Sequence, residues 1–185
     1  LMNLATAGVY GRFIRGAMNG LSLNRGDRVL DLGCGTGRNL RLIKNRLNDK
    51  GFFAGMDLGT EMVRQARRRF RGEENVLIRQ GSILHPLPFE NPFDRITISF
   101  VLHGLGHNER LAVASSARDS LTPGGIFSFL DWNQIQWDQA PFHFKFFFKL
   151  IECPLAHEFI RHDYSKEFQP LGYHLKSIRY HGLGF

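Results

Sequence analysis

The chain has 185 residues, 43% of them apolar and 22% charged, the balance of a soluble globular protein with enough length for one domain and a substantial core. No apolar run reaches the ~20 residues that span a bilayer, and the first residues lack a basic start followed by a long apolar stretch, so neither a transmembrane helix nor a signal peptide is expected. Two cysteines, Cys34 and Cys153, make neither a disulfide framework nor a CxxC metal pair, which fits a reducing cytoplasm, and the net charge of +7 points to anionic partners.

From residue 25 onward the pattern alternates strand and helix, which argues for a mostly parallel α/β sheet with helices on both faces. The first strand is expected over 27–32 (DRVLDL), with its helix over 38–47. The second is expected over 51–57 (GFFAGMD), with its helix over 60–70, and the third over 75–81 (NVLIRQG). With helical spacing through EMVRQARRRFRG, Arg64, Arg67, Arg68 and Arg71 share one face while Val63, Ala66 and Phe70 share another. That arginine face is either a solvated outer surface or a phosphate-binding patch. A Pro-rich loop, HPLPFENPF, opens a long β-branched fourth strand over 93–102. A helix over 109–121 follows, ended by Pro123-Gly124-Gly125, which turns the chain into a fifth strand over 126–132. YHLKSIRY, residues 173–180, reads as a sixth. There is no internal repeat and no low-complexity linker. The expected division of a single domain is a helical N-terminal cover (1–24), a core (25–135), a helical insertion (136–170) and a C-terminal strand (171–185).

Gly33, Gly35 and Gly37 follow the first strand and open a helix. Glycine at such density weakens a chain unless the backbone must turn sharply or be approached closely. The dinucleotide pattern GxGxxG fails here, because Arg38 or Leu40 falls where the third glycine belongs. The phosphate loop GxxxxGK[ST] fails too, since no Gly-Lys pair follows. Glycines without a lysine suit a ligand that carries no phosphate.

VLDLGCGTG closely resembles the first motif of the class I S-adenosylmethionine-dependent methyltransferases. The resemblance continues in family order through GMDLGTEMV, QGSI, FDRITISFVLHGL and LTPGGIFSFLDW, covering roughly residues 25 to 132. The same blocks resemble the small-molecule subfamily that includes the ubiquinone and menaquinone C-methyltransferases. The resemblance implies a Rossmann-like sheet of order 3-2-1-4-5-7-6, in which the seventh strand has no clear counterpart in this sequence, and S-adenosylmethionine as cofactor. It implies that the loop from Gly33 through Cys34, Gly35, Thr36 and Gly37 lies against the cofactor. Asp31 is similar to the family acid that helps hold the charged methionine end, a role that can coexist with satisfying loop amides. Asp57 ends the second strand 24 residues after Gly33, where a carboxylate can accept both ribose hydroxyls. Leu58, Met62, Gly81, Ser82 and Ile83 are expected around the adenine, and Ser99 and Phe100 on the cofactor side of the fourth strand. Ser82 departs from the family, which often has an acid there; a hydroxyl can accept the same bond less strongly.

Methyl transfer is an in-line displacement that mainly requires alignment and exclusion of water, so no side chain is strictly required. SFVLHGLGHNE, after the fourth strand, lacks the (N/D)PP(Y/F) block that grips a flipped base. It also lacks a Pro-Cys nucleophile and a pair of glutamates, and Asp131 with Asn133 supply only half of a metal-binding acid set. His103 remains, either as a general base or as a pocket-lining residue. In PFHFKFFFKLIECP a thin stripe of Lys145, Lys149 and Glu152 leaves the rest of a helix apolar. Such a helix packs into the core, covers an apolar substrate or lies on a membrane surface. Tyr10, Phe13, Phe142, Phe146 and Phe147 are the expected substrate contacts beside His103. The expected reaction is methylation of a small, apolar or aromatic, lipid- or quinone-like acceptor. A peripheral membrane contact is allowed and specific nucleic-acid binding is not expected. The alternatives are an RNA methyltransferase and a non-catalytic protein that senses the cofactor.

Overall fold

Val29, Leu30 and Leu32 are consecutive or nearly so in sequence and all fully buried, the signature of a parallel strand covered on both faces. The computed structural model describes residues 9–47, 50–132, 142 and 154–180. In it an N-terminal helix, α1 (Val9–Asn19), precedes β1 (Arg28–Leu32), α2 (Arg38–Arg46), β2 (Phe52–Asp57), α3 (Thr60–Arg69) and β3 (Val76–Gln80). Then come β4 (Phe93–Ser99), a 3-10 turn (Leu102–Gly104), α4 (His107–Asp119) and β5 (Leu121–Leu130). Two short helices, α5 (Pro154–Phe159) and α6 (Tyr164–Glu167), and a 3-10 turn (Gln169–Leu171) close the described chain.

Five parallel strands pair in the order β3-β2-β1-β4-β5, the Rossmann-like order expected. Alternation along each strand sorts the core into two layers. Val29 and Phe53 pack with Leu40, Ile43, Val63, Ala66 and Phe70 under α1, α2 and α3. Leu30, Leu32, Ala54, Met56 and Ile98 pack with Val113, Ala114, Phe159 and Phe168 under the helices of the other face. Strand order reverses between β1 and β4, whose register sets Asp31 opposite Thr97. The crevice beyond the carboxyl ends of such a pair is where open parallel sheets bind ligands.

Three elements differ from expectation. The fourth strand stops at Ser99 because Phe100 takes a left-handed φ of 56°, and the chain then tightens into the turn that carries His103. The fifth strand begins earlier, at Leu121: Pro123-Gly124-Gly125 form a bulge inside it, and the register jumps from Phe93↔Leu121 to Arg95↔Ile126. Residues 173–180 form no strand. Their apolar side chains Leu175 and Ile178 stay exposed, so this segment is not seated in the core as a strand of this sheet would be. Among the described residues no helix is long and apolar enough to cross a membrane.

Candidate functional site

The glycine loop is built from three left-handed residues, with φ of 64° at Gly33, 53° at Gly35 and 75° at Gly37. Their surroundings differ. A Cβ on Gly33 would sit 2.5 Å from Val101 Cγ2, and one on Gly37 would sit 2.6 Å from Phe70 Cε2. The protein itself therefore excludes side chains at those two positions. A Cβ on Gly35 would meet nothing within 4 Å, so this glycine alone presents bare backbone to open space. Cys34 turns inward: its thiol packs where a Cβ on Gly55 would come within 2.9 Å, and burial together with the nearby Asp31 and Asp57 pushes its pKa up. It is packing, not a nucleophile. Thr36 contributes its carbonyl, which accepts from Arg69 Nε at 2.8 Å.

Asp57, at the end of β2, ties this loop to the next one. Its Oδ2 accepts the Gly35 amide at 2.7 Å and its Oδ1 accepts the Gly59 amide at 2.8 Å. An ionised carboxylate has about four acceptor sites, so roughly two remain for hydroxyl donors. Asp31 is buried to 2% exposure, and its Oδ1 accepts Thr97 Oγ1 at 2.9 Å. Its Oδ2 is buried with no hydrogen-bond partner. Burial pushes the Asp31 pKa up to about 7, the Thr97 hydrogen bond opposes that, and the charge of Asp57 adds to it. An unmet buried carboxylate oxygen is costly unless a cation or donor arrives.

Around the second strand end, Leu58 is 71% exposed and Met62 40% exposed, a pair of apolar surfaces turned to solvent. Gly81 donates its amide to Asp57 O at 3.0 Å, Ile83 is buried, and Ser82 Oγ accepts the Leu84 amide at 3.2 Å. The serine hydroxyl keeps its own hydrogen and a second lone pair. At the end of β4, Ser99 Oγ is buried without a hydrogen-bond partner, and the Phe100 amide donates to Leu130 O at 2.8 Å.

His103 lies on the 3-10 turn beside the end of β5. Its Nδ1 is 2.7 Å from Asp131 Oδ1, and its backbone amide donates to Asp131 Oδ2 at 3.2 Å. The Trp132 amide donates to Asp131 Oδ1 at 2.9 Å, and the carboxylate is buried. Asp131 therefore fixes both the ring and the turn of His103. The sequence offered Asp131 only as half of a metal pair; the 28-residue separation hid the partnership, which needs β4 and β5 to be neighbours. The substrate candidates are less defined. Phe142 is exposed. Tyr10 and Phe13 lie on α1, and their side chains, with Phe146 and Phe147, fall outside the described residues.

A family model described as a methyltransferase domain matches residues 29–125. The ubiquinone/menaquinone biosynthesis C-methyltransferase of Methylococcus capsulatus is 30% identical over 137 residues, 72% of this chain and 54% of that protein. The S-adenosylmethionine-bound structure of CalS10, an amino pentose methyltransferase from Micromonospora echinaspora, is 29% identical with a TM-score of 0.51, over 69% of this chain and 50% of that one. YcgJ from Bacillus subtilis, at 22% identity, shares the fold with a TM-score of 0.64 over 87% of this chain and 66% of its own. The chain spans about half the length of the curated relatives it matches. The glycine loop, the acids after β1 and β2, the strand order and these matches agree: the chain belongs to the class I S-adenosylmethionine-dependent methyltransferase family.

Proposed function

We propose that this protein transfers a methyl group from S-adenosylmethionine to a small apolar or aromatic acceptor with a quinone-like ring. The residues present fit the cofactor. The unmet Asp31 Oδ2 suits the ammonium of its methionine end, the open backbone at Gly35 suits a close approach, and Leu58 with Met62 offer apolar surface to a flat base. Asp57, already carrying two backbone amides, is rigidly set to accept ribose hydroxyls. When bound, S-adenosylmethionine supplies an activated methyl group on a sulfonium.

The observation that carries the reading of the acceptor end is the His103–Asp131 pair. A ring whose Nδ1–H is donated to a buried carboxylate is held in the tautomer with a basic Nε2, able to take a proton from a hydroxyl or activated ring carbon. Asp131 would also stabilise the imidazolium so formed. The quinone-like acceptor is supported by the likeness to the ubiquinone/menaquinone biosynthesis C-methyltransferase of Methylococcus capsulatus. On the arginine face, Arg64 is paired with Glu61 and Arg67 donates to Ile78 O, which supports a solvated outer surface over a phosphate-binding patch. Incubation with methyl-labelled cofactor and a hydroquinone bearing a short isoprenoid tail tests the proposal. Label should enter the hydroquinone and should be lost with His103→Ala. Label entering RNA or a water-soluble metabolite instead would move the acceptor to another class.

A further inference from the structure

A second polar cluster stands outside the site described above. It joins His107 at the start of α4, Glu158 in α5, His162 in the turn after it, and Glu167 at the end of α6. The two imidazoles stack with ring centroids 4.7 Å apart and planes 23° apart. His162 Nδ1 lies 2.6 Å from Glu167 Oε1, close enough to donate its hydrogen there. That bond leaves Nε2 as the lone-pair nitrogen of a neutral ring. Nε2 in turn faces Glu158 Oε1 at 3.6 Å, beyond hydrogen-bond length, so in the neutral ring a lone pair faces the carboxylate. His107 Nδ1 and Glu167 Oε2 are both buried without a hydrogen-bond partner, 3.5 Å apart. One ligand atom each from His107, Glu158 and His162 lie within 4.8 Å of one another.

We propose that His107, His162 and Glu158 bind a divalent transition-metal ion of the zinc class, with Glu167 orienting His162 from behind. A cation between facing acceptors resolves the arrangement, and the spacing agrees. Zinc–ligand bonds of about 2.0–2.1 Å in a tetrahedral site put neighbouring ligand atoms roughly 3.3 Å apart. The His162–Glu158 pair, at 3.6 Å, is already within a few tenths of an ångström of that. His107, whose ligand atom lies within 4.8 Å, turns its ring out of the stack to complete the set. Two imidazoles and one carboxylate favour zinc over magnesium or calcium, which require mostly oxygen ligands. The carboxylate–histidine pair of Glu167 and His162 is the outer arrangement that sets ring orientation in such sites.

Arg110 argues the other way, since its Nη1 is 3.4 Å from Glu158 Oε1. Its guanidinium is otherwise engaged, donating to Leu102 O at 3.0 Å, Leu155 O at 3.0 Å and Tyr164 Oη at 2.6 Å. With two carboxylates against one guanidinium, the cluster keeps a net negative charge for the ion. Bound there, the ion would join α4 to α5 and to the turn leading into α6. Arg110, on α4, holds the turn carrying His103 through Leu102 O.

The test uses the full chain stripped with chelator and titrated with zinc alone, followed by calorimetry, metal analysis and thermal unfolding. The expected result is one zinc per chain at micromolar affinity or tighter, with a melting temperature that rises with the logarithm of zinc concentration. Cobalt in place of zinc should give the visible bands of a tetrahedral site. His162→Gln should abolish all three signals, and Glu167→Gln should weaken zinc by about 10–100-fold. His85→Gln and His174→Gln should change nothing. If His162→Gln does not fold, by circular dichroism, the Glu167→Gln titration decides the matter. Absence of stoichiometric zinc, or zinc binding undiminished in the folded variant, overturns the site. Neither result depends on methyl transfer.

Discussion

Asp31 makes the sharpest prediction, because its burial and its unmet oxygen set a pH dependence on cofactor binding. With its pKa pushed up to about 7, the carboxyl in the empty site is mostly protonated at pH 5. A cationic ammonium arriving at Oδ2 requires the ionised form, so binding must expel that proton. The apparent affinity is then divided by a factor of about 1 + 10^(7 − pH), which is roughly 100 at pH 5.0 and about 1.3 at pH 7.5. Affinity for S-adenosylmethionine or its demethylated product should therefore fall roughly 75-fold between those pH values, about 2.5 kcal/mol. Calorimetry in two buffers of different ionisation enthalpy measures both the constant and the proton released, which should approach one per ligand at pH 5. Asp31→Asn should bind more weakly at pH 7.5 but lose the slope. A wild-type affinity that varies less than threefold over this range, or an Asp31→Asn slope equal to wild type, would refute the reasoning. The same shift acts on stability without ligand. The unfolded carboxyl ionises near 3.8 and the folded one near 7, so this group costs nothing below pH 3.8 and destabilises increasingly as pH rises to 7. The difference in urea stability between wild type and Asp31→Asn should follow that course.

Asp57→Ala removes the acceptor of the Gly35 and Gly59 amides as well as the ribose contact, and should weaken cofactor by ~30–150-fold in calorimetry, with NAD and ATP remaining poor ligands throughout. Gly33→Ala should lower the melting temperature markedly, because the left-handed φ costs about 1–2 kcal/mol and the Cβ meets Val101; Gly35→Ala carries only the backbone cost and should fold yet bind cofactor poorly. His103→Ala should lower turnover by ~10²–10⁴-fold with cofactor affinity nearly unchanged, and a loss of only a few-fold would reassign the residue to positioning. Asp131→Asn should reduce turnover in the same direction by disturbing the tautomer, while leaving the cofactor constant intact. Nucleic-acid binding, measured against salt, should be weak and vanish near physiological ionic strength, since Arg64 is ion-paired with Glu61 and Arg67 and Arg69 are held against backbone carbonyls.

What depended on short-range spacing was legible in the chain itself. The apolar run of β1, the three alternate glycines and the acid closing β2 each declare themselves within a few residues, and five such blocks in order implied both the sheet order and the cofactor. The amphipathic division of α3 was equally local, and its Val63 and Ala66 are buried as the period requires. Long-range pairing decided the rest. Asp31 meets Thr97 across 66 residues, and His103 meets Asp131 across 28, because parallel register sets the ends of β1, β4 and β5 side by side. His107 stacks on His162 only because α4 packs against the turn between α5 and α6. The glycines show the same division within a single motif. Their spacing announced a bare loop, but only packing revealed that Val101 and Phe70 crowd Gly33 and Gly37, leaving Gly35 alone open to a ligand. Backbone conformation is chosen by neighbours along the chain, whereas a side chain's charge state and partners are chosen by neighbours in space.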